Sequence, residues 1–345
     1  MNTLLRRLGL AAFCLCAASA PAQVPAPAAP PPVSPIPAAD FFGWTNAFHL
    51  QNERVAAVLV PAIGRLVHFA PREGESLFRL DATLGGQTPA ADTRFFNVGG
   101  DWLWPVAQSR WRTLAEDGTD WPPPPLLADR PWQGSAWIDA EGAPCALLTR
   151  EYGAPLSILV SRLFRLDPAS DALVIRQRIE RTAPSEIPVV LWNISQIARA
   201  EQIILPVDPE SGFRGGLKAL MGRKPPRRQL AACQKAAVYR VGPGAETKLG
   251  SDSPAGWIAA ARGTNLVVET VANPAEGAYP DGGCVVEVYS NEGLGYSEIE
   301  TLSPEIALAP GTVLENTLRI VLATTDKPLR GCAVAKAVQA LAGKP

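Results

Sequence analysis

The chain has 345 residues, of which 47% are hydrophobic and 19% charged, and its formal net charge is −1 at neutral pH. A near-neutral chain without a basic stripe argues against nucleic acid as a partner. The two histidines, His49 and His68, are too few for a multi-histidine metal site, and the cysteines form no C-x-x-C element. We therefore predict no metal and no cofactor. The length suits one large β domain or two smaller domains.

The amino-terminal segment is not predicted to belong to the fold. Two arginines precede the apolar run 8–18, and small residues up to Ala22 complete the pattern of a secretory signal peptide over residues 1–22. Residues 23–39 are almost all Pro and Ala, which favours an extended tether. We therefore expect export to the periplasm or the cell exterior, and a single folded domain over residues 40–345. No later apolar run is long enough to span a bilayer as a helix.

Short runs rich in β-branched and aromatic residues, bounded by Pro, Gly, Asn or Asp, predict an all-β chain. The longest, residues 173–182, alternates charged side chains such as Arg176 with apolar ones such as Ile175, which is typical of an antiparallel sheet with one solvated face. Turn-forming residues on both sides of this run predict a meander with runs 156–166 and 187–197. The expected fold is a large antiparallel sandwich. The predicted strands cover residues 44–50, 55–60, 65–69, 146–150, 156–166, 173–182, 187–197, 202–205, 257–261, 266–270, 284–290, 296–302 and 313–323.

A helix is predicted only near the carboxyl end, where residues 332–342 have a helical apolar pattern that Gly343 ends. Four cysteines follow the predicted signal peptide, and in an exported protein they can form up to two disulfides. The sequence leaves all three pairings open. These cysteines are Cys145, Cys233, Cys284 and Cys332.

Five of the nine tryptophans fall between residues 102 and 132, in a Pro-rich segment. A tryptophan face offers a flat apolar surface to the C–H side of a pyranose ring, while nearby polar groups bind the hydroxyls. Trp102 and Trp104, together with Asp101 and Arg65, therefore form one candidate ligand site. The alternative is a small core in which the tryptophans hold long loops against the sheet.

The segment around residue 298 carries the strongest functional pattern. Tyr296, Glu298 and Glu300 alternate with Ser297 and Ile299, so a strand would present the phenol and both carboxylates on one face. Such a face suits hydrogen bonds to sugar hydroxyls or acid/base chemistry. The alternative is an ordinary solvated strand face.

A second run places Glu287 and Tyr289 on one strand face. If this run lies beside the strand of Glu298, three acids and two tyrosines share one surface. Such crowding raises one carboxyl pKa toward the range that acid catalysis needs near neutral pH. The alternative is that Glu287 pairs with an arginine from run 173–182, and the sequence leaves both interpretations open.

Several short motifs follow one another in a fixed order along the chain. They are Trp44-Thr-Asn-Ala-Phe-His-Leu-Gln-Asn52, Val60-Pro-Ala-Ile-Gly-Arg65-Leu, Gly99-Gly-Asp-Trp-Leu-Trp-Pro105, Trp192, Ile204-Leu-Pro206, Tyr296-Ser-Glu-Ile-Glu-Thr-Leu-Ser-Pro and Leu308-Ala-Pro-Gly311. In this order they resemble a domain-of-unknown-function family that shares the galactose mutarotase-like β-supersandwich fold. The resemblance extends from residue 44 to about residue 323. It implies a concave sheet face that binds carbohydrate.

The same resemblance implies roles for particular residues. In mutarotases of this superfamily, a histidine acts as general acid and a glutamate as general base at the anomeric centre. The glutamate corresponds to Glu298, with Glu287 and Glu300 as alternatives. The histidine has no counterpart, because both histidines of this chain lie in early strands, before the tryptophan-rich segment. If the reaction occurs, Asp101 or Glu287 is the expected proton donor.

The sequence thus predicts an exported carbohydrate-binding domain of mutarotase-like type, with anomer interconversion as its activity if it catalyses a reaction. Two other classes stay open: a non-enzymatic module that binds a protein or polymer of the cell envelope, and a polysaccharide hydrolase or lyase. A hydrolase needs two carboxyls at a defined separation, and a lyase usually needs a Tyr/His or metal-assisted arrangement. Glu298 is the candidate catalytic residue. The candidate ligand-binding residues are Arg65, Asp101, Trp102, Trp104, Trp192, Glu287, Tyr289, Tyr296 and Glu300.

Overall fold

Two antiparallel sheets hold most of the regular structure in this computed structural model, which describes residues 34–222, 224–242 and 246–343. The predicted all-β sandwich with a short carboxyl-terminal helix is confirmed. The strands are β1 (Ser34–Pro35), β2 (Ala39–Phe41), β3 (Trp44–Gln51), β4 (Val55–Val60), β5 (Arg65–Pro71), β6 (Asp101–Trp104), β7 (Gln133–Ile138), β8 (Pro144–Tyr152), β9 (Ile158–Leu166), β10 (Ala172–Arg181), β11 (Trp192–Ala198), β12 (Gln202–Pro206), β13 (Lys218–Met221), β14 (Leu230–Cys233), β15 (Ala236–Arg240), β16 (Thr247–Ser251), β17 (Trp257–Arg262), β18 (Asn265–Val271), β19 (Val286–Asn291), β20 (Tyr296–Thr301) and β21 (Val313–Thr324). The helices are α1 (Trp111–Leu114), α2 (Pro280–Gly283) and α3 (Cys332–Ala342).

The strand order in each sheet brings distant parts of the chain together. Sheet 1 has eleven strands in the order β1-β7-β8-β9-β10-β21-β18-β17-β12-β15-β14. Sheet 2 has ten strands in the order β13-β16-β19-β20-β11-β6-β5-β4-β3-β2. In the centre of sheet 2, β20 from the end of the sequence therefore lies two strands away from β6, which is formed nearly two hundred residues earlier.

Strand β10 shows why the alternating sequence forms an open antiparallel sheet. Ile175 and Ile179 are fully buried, whereas Arg176 between them is exposed. Burial of each such apolar side chain contributes about 1.5–3 kcal/mol to folding, which fixes the register of the strand against the core. The predicted hairpin with the preceding run is confirmed, since Leu173 pairs with Leu166 and Ile179 with Val160.

The third strand of the predicted meander lies elsewhere. Strand β11 is in sheet 2, and β21 occupies the place beside β10. The physical reason is burial on both faces: from Trp192 to Ile197 every residue of β11 is buried, so this strand needs a central position with cover on both sides. Prediction of a meander from turn residues alone was therefore wrong for this strand.

The main core fills the space between the sheets. Leu66 and Ile299 from sheet 2, and Phe164 and Ile175 from sheet 1, are all fully buried in it. This contact defines an inner face of sheet 2, which packs against sheet 1, and an outer face, which points away from sheet 1. The two faces carry different side chains and differ in their access to solvent.

Helix α3 covers part of the other side of sheet 1. Its Val334 and Val338 are fully buried against a smaller cluster that includes Trp257. A disulfide joins Cys233, at the end of edge strand β14, to Cys332, the first residue of the helix. Of the pairings that the sequence left open, the structure therefore contains one, while Cys145 and Cys284 are buried free thiols.

Regular structure is present before the predicted domain boundary at residue 40. Ser34 and Pro35 pair with β7 at the edge of sheet 1, and the Ile36 amide donates a hydrogen bond to the Ala136 carbonyl. These backbone hydrogen bonds require no apolar side chains, so the Pro/Ala-rich composition gave no indication of a strand at this position. The predicted signal peptide and most of the predicted tether lie outside the described residues. Within the described ranges, no helix is long and apolar enough to cross a membrane.

Candidate functional site

The outer face of sheet 2 carries a row of hydrogen-bonding side chains across four adjacent strands. Register places Lys248 of β16 opposite Tyr289 of β19, Tyr289 opposite Glu298 of β20, and Glu298 opposite Gln196 of β11. Directly opposed residues in antiparallel strands lie about 4.5–5.5 Å apart at Cβ, so each of these four side chains is the immediate neighbour of the next. We call Lys248, Tyr289, Glu298 and Gln196 the polar row.

A second, deeper pair of carboxyl groups adjoins the polar row. Glu287 lies directly opposite Glu300, and both side chains are almost completely buried. The Lys248 ammonium lies between them, with Nζ 2.8 Å from Glu287 Oε2 and 3.1 Å from Glu300 Oε2. The indole of Trp192 donates a hydrogen bond of 2.8 Å to Glu300 Oε2, and Lys248 Nζ is 5.0 Å from the centre of its ring.

One ammonium cannot balance two buried carboxylates, and the pKa values reflect this. Burial lowers the pKa of Lys248, but Glu287 and Glu300 outweigh it and hold that pKa above its usual value. Burial raises the pKa of Glu287 well above its usual value, and the negative charge of Glu300 adds to the effect although Lys248 opposes it. The group is therefore a lysine with a raised pKa beside two buried carboxyls, of which Glu287 has a raised pKa.

Glu298 is the carboxyl of this face that solvent reaches. Its side chain is half-buried, and its Oε1 accepts a hydrogen bond of 2.8 Å from Gln196 Nε2. Burial and the neighbouring Glu300 raise the pKa of Glu298 to about 7, with Gln196 and Lys248 opposing the shift. A carboxyl with this pKa exchanges its proton readily near neutral pH, as a general base or acid must.

A network of hydrogen bonds adjoins Glu298 on the side away from Lys248. Arg79 Nη1 donates to Gln196 Oε1 at 2.9 Å and to the Asn97 side-chain oxygen at 3.1 Å. The Asn97 amide in turn donates to the Tyr296 hydroxyl at 3.3 Å, and the Arg79 guanidinium lies 4.9 Å from the centre of the Tyr296 ring. These contacts fix the orientation of Gln196 and hence of the carboxyl that it holds.

The predicted sugar-stacking surface of Trp102, Trp104 and Trp192 is wrong for these three rings. All three are buried, at 3%, 6% and 3% exposure, and they pack on each other and on the buried Trp111. Ring centres are 5.4 Å apart between Trp102 and Trp104, and 5.1 Å between Trp104 and Trp192. The alternative stands, in which tryptophans hold the long loop against the sheet. Only Trp121 of this cluster keeps an exposed ring, at 51%.

Arg65 also holds the loop rather than lining an open site. The side chain is completely buried, and its guanidinium lies 4.2 Å from the centre of the Trp102 ring. It donates to the Gly99 carbonyl at 2.9 Å and forms an ion pair with Asp129 at 3.1 Å. The prediction of Arg65 as a ligand-binding residue is therefore not met, because all of this side chain is enclosed by protein.

Asp101 points to the other face of the sheet. Its Oδ1 is 2.6 Å from Nη2 of Arg162, a residue of sheet 1, and its Oδ2 accepts hydrogen bonds from Asn193 and Ser195. Both charged side chains are fully enclosed between the sheets. The prediction that Asp101 shares a site with Glu298 is wrong, because alternation in strand β6 sends Asp101 inward while Trp102 points outward.

The histidines lie far from Glu298, as the sequence analysis expected. His68 is on β5 and His49 on β3, three and five strands from β20 in sheet 2. At about 4.8 Å per strand, these separations are roughly 14 and 24 Å. Burial and the nearby His49 lower the pKa of His68, so this imidazole is neutral at physiological pH.

Tyr289 is a member of the polar row. The alternative interpretation of Glu287, in which it pairs with an arginine, is wrong. Burial raises the pKa of Tyr289, whose hydroxyl donates to Glu246. Glu287 pairs with Lys248, and not with an arginine of the strand at residues 173–182. Sequence analysis missed Lys248, since the run Thr247-Lys-Leu-Gly-Ser251 contains a glycine and has little β-branched character.

Metal chemistry has no support in the described residues. They contain no group of three or more His, Cys, Asp or Glu side chains that could hold a metal ion. The three carboxyls of the outer face already have the Lys248 ammonium and the Gln196 amide among them. The site therefore consists of carboxyl, amide, phenol and ammonium groups.

The two stacked antiparallel sheets have the fold of solved galactose mutarotase-like proteins. The chain is similar in structure to a galactose 1-epimerase from Lactobacillus acidophilus, with a TM-score of 0.54, 12% identity and coverage of 81% of this chain and 94% of that one. A galactose mutarotase-like protein from Lactobacillus casei gives a TM-score of 0.51 at 11% identity, covering 80% and 100%.

A TPR-domain containing protein from Parabacteroides distasonis is also similar, with a TM-score of 0.56 and 14% identity. That match covers 82% of this chain and 48% of the other, so this chain spans about half the length of that protein. No family model and no curated protein matches the sequence. At these identities the similarity establishes the fold.

Proposed function

We propose that the outer face of sheet 2 binds carbohydrate, with Glu298 at the centre of the site. The observation that carries the proposal is the polar row, in which a half-buried carboxyl lies between a phenol and an amide on adjacent strands. Carboxyl, amide and phenol groups are the side chains that pair with the many hydroxyls of a sugar. The galactose mutarotase-like fold supports this assignment.

Glu298 is also the residue proposed to act as a base in anomer interconversion. Its carboxylate would take the proton of the anomeric hydroxyl while the bond from the anomeric carbon to the ring oxygen breaks and that oxygen gains a proton. A pKa of about 7 suits this exchange. Neither expected donor is placed to supply the second proton, because Asp101 faces inward and Glu287 lies fully buried beside Lys248. Carbohydrate binding is therefore the primary proposal, and the interconversion rests on water as the donor.

Saturation-transfer NMR of the purified protein with hexoses, uronic acids and short oligosaccharides tests the binding. We expect saturation transfer to at least one sugar class, and a loss of at least tenfold in affinity in Glu298→Gln, because removing a charge-assisted hydrogen bond costs about 1.5–3 kcal/mol. Glu315→Gln, at an exposed position on β21 of sheet 1, is the matched control and should bind like the wild type.

The anomeric signals in the same spectra report on catalysis. If Glu298 acts as a base, exchange between anomers accelerates as the pH rises through about 7, and Glu298→Gln removes the acceleration. Absence of saturation transfer to every sugar in the panel would overturn the proposal and favour a non-enzymatic envelope module.

Export is proposed on two grounds. The amino-terminal pattern of residues 1–22 is that of a secretory signal, and the Cys233–Cys332 disulfide is of the kind that persists in oxidising compartments. Amino-terminal sequencing of the protein from its native host tests this, since a mature chain that retains residue 1 would overturn it.

A further inference from the structure

A cavity of about 300 Å³ opens at the Lys248 end of the polar row. Lys248 lines it, together with Asp281 of α2, Met221 of edge strand β13, and Arg112 and Asp120 from the loop around α1. The volume is at the lower end of the range for small-molecule sites. The polar row therefore does not end in a wall of protein but continues into an open pocket.

An exposed aromatic residue is the chain neighbour of a residue that lines this cavity. Trp121 directly follows the lining residue Asp120, and its side chain is 51% exposed although it belongs to a cluster of buried rings. The ring is stacked on Trp111, with centres 6.1 Å apart and an angle of 24° between planes, and Phe95 contacts it from the edge at 5.1 Å. One face of the indole is thus supported by protein.

The polar rim of the cavity is available to a ligand. Arg112 and Asp120 form an ion pair at 3.2 Å whose side chains are 68% and 63% exposed. An exposed pair of this kind contributes at most about 1 kcal/mol to stability. The pair can therefore open at little cost, and each group can then bind a sugar hydroxyl. Arginine and aspartate forks match pairs of adjacent hydroxyls, as donor and acceptor respectively.

The distance to Glu298 sets the size of the ligand. The backbones of Lys248 and Glu298 are separated by two strand spacings, which is about 10 Å. A single pyranose ring is too short to contact Glu298 and also fill the cavity. A chain of two or three linked rings spans the distance.

We propose that the cavity beside Lys248, with Trp121 at its rim, is a second carbohydrate subsite, so that the ligand of this protein is an oligosaccharide chain. The inference rests on the proposed function of the Glu298 face and specifies its ligand. One sugar unit lies against Glu298, and later units follow the polar row past Lys248 toward Trp121.

Isothermal titration of the purified protein with two homologous series tests the proposal. The probes are glucose, cellobiose and cellotriose, and galactose with its β-1,4-linked disaccharide and trisaccharide. In the series that binds, we expect the trisaccharide to bind about tenfold tighter than the monosaccharide, since an aromatic stacking contact contributes about 1.5 kcal/mol. Trp121→Ala should remove this gain and leave monosaccharide binding unchanged, while Trp121→Phe should retain most of it.

Phe42→Ala is the matched control, because Phe42 is a comparably exposed aromatic residue, at 54%, near the opposite edge of sheet 2. It should leave both affinities unchanged. Monosaccharide binding that depends on Glu298 but shows no gain with chain length, or a gain that survives in Trp121→Ala, would overturn the second subsite and leave the proposed function standing. Absence of binding by both series, while saturation transfer to another hexose or a uronic acid persists, would overturn the second subsite alone, and absence of transfer to every sugar would overturn both proposals.

Discussion

The two faces of sheet 2 each hold a cluster of acids with a cation, and the two clusters differ in their access to solvent. On the inner face, Asp101 and Arg162 are 2.6 Å apart and both completely enclosed between the sheets. On the outer face, Lys248 holds two buried glutamates, but Glu298 next to them is half-exposed and the cavity at Lys248 is open. A carboxyl with a raised pKa lies between the sheets, at Glu269, and another lies on the outer face, at Glu298. Only the outer face can receive a ligand.

The inner cluster teaches that a shifted pKa does not by itself mark a binding site. Burial, together with the charge of Asp101, raises the pKa of Glu269 to about 8, which is a larger shift than that of Glu298. Glu269 is nevertheless 0% exposed in the middle of the sandwich. Its role is structural, and the distinction between the two faces can be tested by the stability changes that each produces.

Breaking the inner ion pair should have the largest effect. Arg162→Met removes the ion-pair partner of Asp101 in a site without solvent, and we expect the free energy of unfolding to fall by about 5 kcal/mol. Equilibrium denaturation with guanidinium chloride measures this. Arg54→Met is the control, because the Arg54–Asp171 pair is exposed and should change stability by less than about 1 kcal/mol. Similar losses in the two variants would contradict the comparison.

Glu269 should make stability fall as the pH rises. Below about pH 4.5 the carboxyl is protonated in both folded and unfolded chains, whereas between about 4.5 and 8 only the folded chain keeps the proton. The unfolded state therefore binds fewer protons, and stability declines across this window by about 4 kcal/mol, since one pKa unit corresponds to about 1.4 kcal/mol. Glu269→Gln should flatten the decline in denaturation curves taken from pH 4.5 to 8. A decline as steep as in the wild type would show that Glu269 is ionised in the fold.

Removal of the outer cation should have a smaller effect. Lys248→Met leaves Glu287 and Glu300 without their ammonium, but the raised pKa of Glu287 limits the unbalanced charge, so we expect a loss of about 3 kcal/mol at pH 7. Lys218→Met is the control: its Nζ donates only to the Asp281 carbonyl among the contacts described, and it should change stability by less than about 1 kcal/mol. Thermal unfolding of both variants at pH 7 measures the difference, and equal losses in the two variants would contradict the prediction.

Much of the sheet structure followed from sequence because burial on one face leaves an alternating pattern. The run containing Arg176 and the run containing Glu298 were both predicted as strands, with their charged residues on one face. Glu287, Tyr289 and Glu298 were also expected on a common surface, and register places them there.

Two parts of the site escaped prediction for physical reasons. The four residues from Asp101 to Trp104 were not predicted as a strand and were assigned to one ligand site, but as a strand they must send Asp101 and Trp102 to opposite faces. The alternation of Asp-Trp-Leu-Trp contained that information. Lys248 was missed because pairing between β16 and β19 is a long-range contact that neither run specifies alone.

The buried rings have a spectroscopic consequence. Trp104, Trp111 and Trp192 lie with ring centres 4.9, 5.1 and 5.8 Å apart in a rigid chiral arrangement. Electronic transitions of indoles this close couple to one another, so the folded protein should give an intense near-ultraviolet circular dichroism signal. Since Trp111 belongs to the long loop and Trp192 to the sheet, the intensity of that signal reports whether the loop is packed on the outer face.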